Sequence, residues 1–305
     1  MNSFSLQIFN RRCPMASIMQ NIRLCAFADE ASAERHGQML ALQQNQIPYL
    51  EMRGVDGVNV SAMSVANARL FKKELDDVGL QVWSIGSPAG KSDITQDFSV
   101  EREQFERLLE IAHIMQAGCM RIFSFYGTNG EATYFDEVCE RLDRFCDMAK
   151  GSGVTLCHEN EKGIYGDVAV RCLALHQALP RLRAVFDPAN FVQCGQPIME
   201  AWEMLAPYVW YGHIKDALAD GSIVPPGQGI GCLREYLPLF ARDASQGKNS
   251  GVLTLEPHLA EFVGLAGLEN PNDKSAVGGL RYPSERAAFD HAVICLKNIL
   301  EENHG

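Results

Sequence analysis

The chain has 305 residues, of which 47% are hydrophobic, and it carries a formal net charge of −11. This length allows one large α/β barrel or two smaller domains, each with a sizeable core. Because Asp and Glu outnumber Lys and Arg by 38 to 27, the surface repels nucleic acid and anionic lipid, so we expect no nucleic-acid partner and no membrane partner.

The first 28 residues contain no Asp or Glu and carry three arginines. This composition leaves a transit peptide open, but we interpret residues 1–20 as a disordered leader and residues 21–305 as the folded domain. The ten cysteines form no Cys-x-x-Cys pair, and several lie in apolar runs. Such thiols are typical of a reducing compartment. Without a clear targeting signal, we expect a cytoplasmic protein.

Eight short β-rich runs alternate with longer amphipathic stretches. The predicted strands are residues 22–27, 49–52, 81–85, 120–123, 154–159, 182–187, 209–214 and 251–256. The clearest helical patterns, with apolar residues at helical spacing, cover residues 103–115, 135–149 and 285–300. A helix after each strand implies parallel strands, and eight such units predict a single (β/α)8 TIM barrel.

The competing fold is an open doubly wound sheet. That fold favours a glycine-rich phosphate-binding turn after the first strand. The corresponding turn here, residues 28–31, contains no glycine. Two long loops, 216–231 and 257–282, follow late strands and should therefore lie over the catalytic mouth of a barrel.

Metal-competent side chains end the last four predicted strands. Glu159 ends the fifth strand, Asp187 the sixth, His213 the seventh and Glu256 the eighth. We call them the four strand-end residues, and we expect them to converge because barrel active sites form at the C-terminal ends of strands. Any one alone could be a charged loop residue, but their repetition predicts one metal site. Three carboxylates and an imidazole suit Mn²⁺, Mg²⁺ or Co²⁺, and can also accommodate Zn²⁺.

Three further polar residues share the strand face of the strand-end residues. By the alternation of strand side chains, the parity of Glu159, His213 and Glu256 extends to Glu161, Lys215 and His258. These three are candidates for contact with substrate or with the metal ligands, and the alternative of solvated loop residues stays open.

His158 has the opposite parity to its neighbour in sequence and should face the helix layer. Glu51 and Arg53 lie at the end of the second strand. They could contact substrate from across the mouth, or they could form a salt bridge at the barrel rim.

Four motifs resemble those of the xylose isomerase-like barrels. They are His158-Glu159-Asn160, Asp187-Pro188-Ala189-Asn190, His213-Ile214-Lys215-Asp216 and Leu255-Glu256-Pro257. The resemblance covers nearly the whole chain after the leader. That superfamily includes sugar isomerases, ketose 3-epimerases, inosose dehydratases and DNA-repair AP endonucleases. The His-x-Lys-Asp segment and the nearby Gly-Gln-Gly sequence at 227–229 resemble the sugar isomerase/epimerase branch most.

The resemblance implies that the four strand-end residues bind one divalent metal and that Glu159 and Glu256 also move protons. Two positions depart from the family pattern. Many relatives have a histidine where this chain has Asn190, and ketose 3-epimerases have an arginine where it has Ala219. We expect the metal site to tolerate both changes and Asn190 to contact substrate, but the sugar stays open.

The resulting prediction is a metal-dependent isomerase or epimerase of a small carbohydrate. A metal that chelates a carbonyl and an adjacent hydroxyl stabilises an ene-diolate, and Glu159 and Glu256 would remove and return the proton. Loss of hydroxide from the same intermediate would give an inosose-type dehydratase, and a non-catalytic sugar-binding barrel is a further alternative. An AP endonuclease is disfavoured, since it needs several zinc ions and a basic DNA track. Relatives often form homo-oligomers, and the oligomeric state is open.

Overall fold

The computed structural model describes residues 20–263 and 281–302. Its barrel strands are β1 Arg23–Ala26, β2 Tyr49–Met52, β3 Gln81–Gly86, β4 Cys119–Ile122, β5 Thr155–Glu159, β6 Arg183–Phe186, β7 Val209–Ile214 and β8 Val252–Leu255. All neighbours are parallel, and β1 pairs with both β2 and β8, so the sheet closes into a barrel. Every predicted strand is present, which confirms the (β/α)8 TIM barrel. The predicted leader lies outside the described residues except for residue 20.

Helices surround the barrel. In the described ranges they are α1 Arg35–Gln44, α2 Val65–Asp77, α3 Phe98–Met115, α4 Phe135–Met148, α5 Ala169–Ala178, α6 Pro188–Gln193, α7 Ile198–Leu205, α8 Leu233–Ser245 and α9 Glu285–Glu302. The third helix begins before its predicted start at residue 103, because the Asp97 side chain accepts a hydrogen bond from the Ser99 N–H and caps the first turn. Within these ranges, no helix has the length and apolar character needed to span a bilayer.

The core has two parts. A large apolar layer lies between the strands and the helices. A smaller cluster fills the barrel interior, and its buried members are Cys25, Cys119, Cys157, Val185, Tyr211 and Val252. Apart from Tyr211 these side chains are small or branched, which suits this position because alternate strands must all place residues inside one narrow barrel. The cysteines of the described ranges are free thiols.

His158 faces the helix layer, as its parity predicts. Its Nε2 atom lies 3.0 Å from the Ser124 Oγ atom. Its ring also contacts the ring of His176 on α5, with centroids 5.9 Å apart. The two faces of β5 therefore have different roles, since Glu159 points to the barrel mouth and His158 packs outward.

The loop after β7 is organised by Asp216. It begins with an antiparallel ribbon that pairs Asp216–Ala217 with Ile223–Val224. The Asp216 carboxylate accepts hydrogen bonds from the backbone N–H groups of Ala217, Gly227, Gly229 and Gly231, at 2.8 to 3.0 Å. A Cβ atom at Gly229 would lie 2.3 Å from Asp216 Oδ1. Only glycine therefore allows the chain to approach the carboxylate here.

Candidate metal centre

The four strand-end residues meet at the C-terminal mouth of the barrel. Glu159 is the last residue of β5, Asp187 follows β6, His213 lies in β7 and Glu256 follows β8. One ligand atom from each lies within 4.8 Å of the others, and all four side chains are buried. Four donor atoms this close can surround a single ion.

Two asparagines hold the first two ligands in place. The Asn160 side chain donates to the carbonyl oxygen of Asp187 at 2.8 Å and accepts from the Asp187 N–H at 3.0 Å. Asp187 Oδ1 accepts from the Asn190 N–H at 3.0 Å and so caps α6. The Asn190 side chain donates to the Asn160 carbonyl at 2.9 Å and to Glu159 Oε1 at 3.3 Å. Asn190 thus braces the ligands, and its contact with substrate stays a prediction.

His213 turns one ring nitrogen toward the carboxylates of the site. Its Nδ1 atom lies 2.9 Å from Glu159 Oε1 and 3.1 Å from Glu256 Oε2. The same atom lies 3.9 Å from Asp187 Oδ2. Burial opposes the charged imidazole, but the surrounding carboxylates outweigh it and raise the pKa of His213 well above its ordinary value. The geometry therefore assigns Nδ1 as the atom that would bind a metal.

Two cations lie against the carboxylates. Lys215 Nζ is 3.0 Å from Asp187 Oδ2 and 3.6 Å from Glu256 Oε2. Arg121 Nη1 is 3.2 Å from Glu159 Oε2 and 3.7 Å from Glu256 Oε1. Both cations are buried, so they offset the cost of holding several carboxylates away from water.

A second group of charges lies beside Glu256. Arg53 Nη1 is 2.8 Å from Glu256 Oε1, and the same guanidinium binds Asp29 and Glu30 in the turn after β1. His258 Nε2 lies 3.4 Å from Glu256 Oε1 and 3.3 Å from Glu30 Oε1. Burial raises the pKa of Glu30 to about 8 and lowers the pKa of His258 to about 4. Arg53 therefore forms the predicted salt bridge, and one of its partners is the candidate ligand Glu256, while its contact with substrate stays a prediction.

Glu161 pairs with a lysine from the loop after β3. Its Oε2 atom forms an ion pair with Lys91 Nζ at 3.1 Å. That ammonium group also lies over the Phe123 ring, 4.4 Å from its centroid. Glu161 thus has a cation as its partner, and its contact with substrate stays a prediction.

The donor set fits a divalent ion. Three buried carboxylate oxygens, Glu159 Oε2, Asp187 Oδ2 and Glu256 Oε2, lie 3.0 to 3.2 Å from nitrogens of Arg121, Lys215 and His213, but they accept no hydrogen bond of good geometry within the described ranges. Burial raises the pKa of Asp187 to about 6 even though Lys215 opposes this. Burial acts on Glu256 in the same direction, but Lys215 and His213 outweigh it and hold its pKa well below the ordinary value. Carboxylate oxygens that lack a hydrogen bond in a buried site are available as ligands.

Sequence analysis missed Arg121 and the acidic turn after β1. Arg121 is a lone charge inside the otherwise apolar strand β4, a signal that could have marked it as a site residue. Asp29 and Glu30 lie in the turn after β1, whose sequence indicates only that it lacks a glycine. Their contacts with Arg53 cross from one strand end to the next, and sequence spacing does not reveal such contacts.

A family model described as the xylose isomerase-like TIM barrel matches residues 47–274, which is most of the chain. The chain belongs to this family. No curated protein matches it in sequence.

Solved structures of the family share the whole barrel. D-Allulose 3-epimerase from Methylomonas sp., in complex with D-allulose, has a TM-score of 0.68 and 13% identity, covering 92% of this chain and 96% of that one. A probable 3-DHS dehydratase from Bacillus anthracis has a TM-score of 0.65 and 16% identity, covering 90% and 97%. A family member from Mycobacterium smegmatis, in complex with magnesium, has a TM-score of 0.65 and 15% identity, covering 93% and 97%. At these identities the likeness shows the fold alone.

Proposed function

We propose that the protein is a divalent-metal-dependent isomerase or epimerase of a sugar or sugar derivative. The observation that carries this proposal is the convergence of the four strand-end residues, with ligand atoms within 4.8 Å of one another in a buried site. The structural likeness to an epimerase and to a magnesium complex supports it. We expect Mn²⁺, Mg²⁺ or Co²⁺, with Zn²⁺ as an alternative, because carboxylates dominate the donor set.

When bound, the ion would polarise a substrate carbonyl and an adjacent hydroxyl, which eases removal of the neighbouring proton. We assign Asp187 and His213 to holding the ion. Glu159 and Glu256 would hold it and also remove and return the proton. Lys215 and His213 hold the pKa of Glu256 well below its ordinary value, so this carboxylate is ionised and can act as a base, although a weak one. Return of the proton to the opposite face of the same carbon gives epimerisation, and return to the neighbouring carbon gives isomerisation.

Polar side chains around Glu256 would orient the substrate. Lys215, Arg53 and His258 all lie within 3.6 Å of a Glu256 oxygen. Each carries N–H groups that can bind hydroxyl or carbonyl oxygens of a sugar. We assign the substrate contacts to Lys215, Arg53 and His258, together with Asn190 and Glu161.

Dehydration is the second candidate reaction. It is favoured by the structural likeness to a probable 3-DHS dehydratase. The first step would be the same proton removal by a glutamate. A hydroxyl on the adjacent carbon would then leave as water after protonation, and a carbon–carbon double bond would form in place of the returned proton.

The test combines metal analysis with turnover in D₂O. The purified protein is analysed for bound metal and incubated with a panel of sugars, sugar acids and inososes. Deuterium at one substrate carbon supports epimerisation or isomerisation, whereas an unsaturated product supports dehydration. Thermal shift by a sugar without any turnover would indicate a binding barrel. Full activity in verified metal-free protein would contradict both enzymatic proposals.

A variant separates proton transfer from metal binding. Glu256→Gln should lower turnover by at least about 100-fold while metal occupancy is measured alongside. Glu203→Gln, an exposed glutamate on α7, is the control and should leave turnover unchanged. Retention of both metal and full turnover by Glu256→Gln would show that this glutamate does not move the proton.

We also propose that the protein's partners are a small carbohydrate substrate and, if it forms an oligomer, other copies of the chain. We further propose that it is located in the cytoplasm. The net charge of −11 supports the absence of a nucleic-acid or membrane partner. The free thiols of the described ranges fit a reducing compartment. Light scattering on the purified protein would measure whether it forms a homo-oligomer.

A further inference from the structure

Glu51 is a fully buried carboxylate that the proposed proton transfer does not use. It lies on β2, across the barrel from β7, and its side chain is 0% exposed. A buried carboxylate is costly unless both oxygens have partners. Its two partners both come from β7. Glu51 Oε1 accepts a hydrogen bond from the Tyr211 hydroxyl at 2.7 Å, and Oε2 lies 3.3 Å from His213 Nε2.

The His213 ring is fixed from several sides. Its Nδ1 atom faces the carboxylates of the candidate metal centre, and its Nε2 atom faces Glu51. The ring also packs against Phe27, with centroids 5.3 Å apart, and against Tyr211, with centroids 5.5 Å apart. Both contacts are edge-to-face, and such packing helps to hold the ring in one orientation.

The choice of tautomer then depends on Glu51. A neutral imidazole has one protonated nitrogen and one lone pair. A metal needs the lone pair on Nδ1, so the proton must be on Nε2. Within hydrogen-bonding distance of Nε2, the described part of the chain places the Glu51 carboxylate, which accepts an N–H and offers none. The Tyr211 hydroxyl, which lies 3.3 Å from Ser84 Oγ, holds that carboxylate in position.

We propose that Glu51 is a positioning residue for the metal centre. It accepts the Nε2 hydrogen of His213, keeps Nδ1 free for the metal, and makes the imidazole a stronger donor. The inference rests on the proposed metal site. Partners of this kind on metal-binding histidines typically change metal affinity by roughly tenfold to a hundredfold when removed.

The first test measures metal affinity in the full chain. Calorimetric titration with Mn²⁺ and Co²⁺ should give a Kd roughly tenfold to a hundredfold weaker for Glu51→Gln than for the wild type. Glu101→Gln is the matched control. Glu101 is also buried and accepts hydrogen bonds from the Gly90 N–H and the Ser92 hydroxyl, but it lies outside the centre. Its variant should bind metal with the wild-type Kd.

The second test reads the tautomer directly. In Zn²⁺-loaded protein with ¹⁵N-labelled histidine, the wild type should show His213 protonated at Nε2, and Glu51→Gln should weaken or exchange-broaden that signal. The visible spectrum of the Co²⁺ form should change as well. A merely structural role for Glu51 would leave both signatures intact.

The outcomes are separable. If the wild type binds no divalent metal, the proposed function fails and this inference fails with it. If the wild type binds metal and Glu51→Gln binds it with the same Kd and the same His213 signal, only the role of Glu51 is overturned. Should Glu51→Gln fail to fold by circular dichroism, Tyr211→Phe decides. It removes one hydrogen bond to Glu51 and should weaken metal binding by about threefold, whereas an unchanged Kd would overturn the inference.

Discussion

Replacing Asp216 by asparagine should loosen the loop that follows β7. Asp216 Oδ2 accepts from the Gly227 N–H at 2.8 Å and the Gly229 N–H at 3.0 Å, while Oδ1 accepts from Gly231 and Ala217. Asparagine keeps one oxygen, so two N–H groups lose their acceptor and face an NH₂ group. At about 1.5 kcal/mol for each bond to a charged group, the loss is about 3 kcal/mol.

The net effect should be smaller, because the carboxylate itself is costly to bury. Burial raises the pKa of Asp216 although its four hydrogen bonds oppose this. An uncharged side chain avoids that cost, so we expect the Asp216→Asn substitution to lower the free energy of unfolding by about 2 kcal/mol.

Urea unfolding measures the loss, and hydrogen exchange followed by mass spectrometry locates it. Peptides that cover residues 216–231 should exchange faster in Asp216→Asn, while the barrel strands keep their protection. Asp220→Asn is the control. It lies in the same loop and accepts from the Ser222 N–H at 2.9 Å, but it is exposed, so we expect a change below about 0.5 kcal/mol. If Asp216→Asn unfolds at the wild-type urea concentration and residues 216–231 keep their wild-type protection from hydrogen exchange, the proposed role of this carboxylate is refuted.

Three further predictions concern titration, charge and backbone. Burial lowers the pKa of His176 from 6.5 to about 4, so the unfolded chain binds this proton first as the pH falls. The free energy of unfolding should therefore drop by about 3 kcal/mol as the pH falls from 6.5 to about 4. Urea titrations at several pH values should show that His176→Phe lacks this contribution to the pH dependence. Lys215→Met removes the cation beside Asp187. It should lower metal-free stability by about 3 kcal/mol and tighten Mn²⁺ binding about tenfold, as measured by urea unfolding and calorimetry. Gly90→Ala would place a Cβ atom 2.0 Å from a backbone oxygen at a φ of +82° and should cost about 3 kcal/mol or more, whereas Gly118→Ala, which meets no atom within 4 Å, should be neutral in thermal melts.

The strands and the four strand-end residues could be predicted because both depend on local pattern. Most residues of each strand are apolar, and a parallel barrel brings the C-terminal ends of all strands to one mouth. The position of a metal-competent residue at the end of a strand can therefore be predicted: it lies at the mouth of the barrel. Parity placed His158 correctly in the helix layer for the same reason, since it depends only on the alternation of a strand.

Contacts across the barrel could not be predicted in this way. The contact between Glu51 and His213 joins strands that are far apart in sequence. Strand alternation predicts the face on which a side chain lies, but it does not predict which other side chain it contacts. The same holds for Arg121, which reaches Glu159 and Glu256 from β4. Of the long loop predicted for residues 257–282, residues 264–280 lie outside the described ranges, so its position over the mouth stays a prediction.

The pair of hydrogen bonds between Asn160 and Asp187 has a consequence for ion selectivity. The side-chain amide of Asn160 acts like one more peptide unit and continues the pairing of β5 with β6 beyond their last residues. The spacing between Glu159 and Asp187 is thereby set by the protein and not by the ion. A site with fixed ligand spacing discriminates by ionic radius. An ion that is too large or too small can reach all four ligands only if the strands that carry them move.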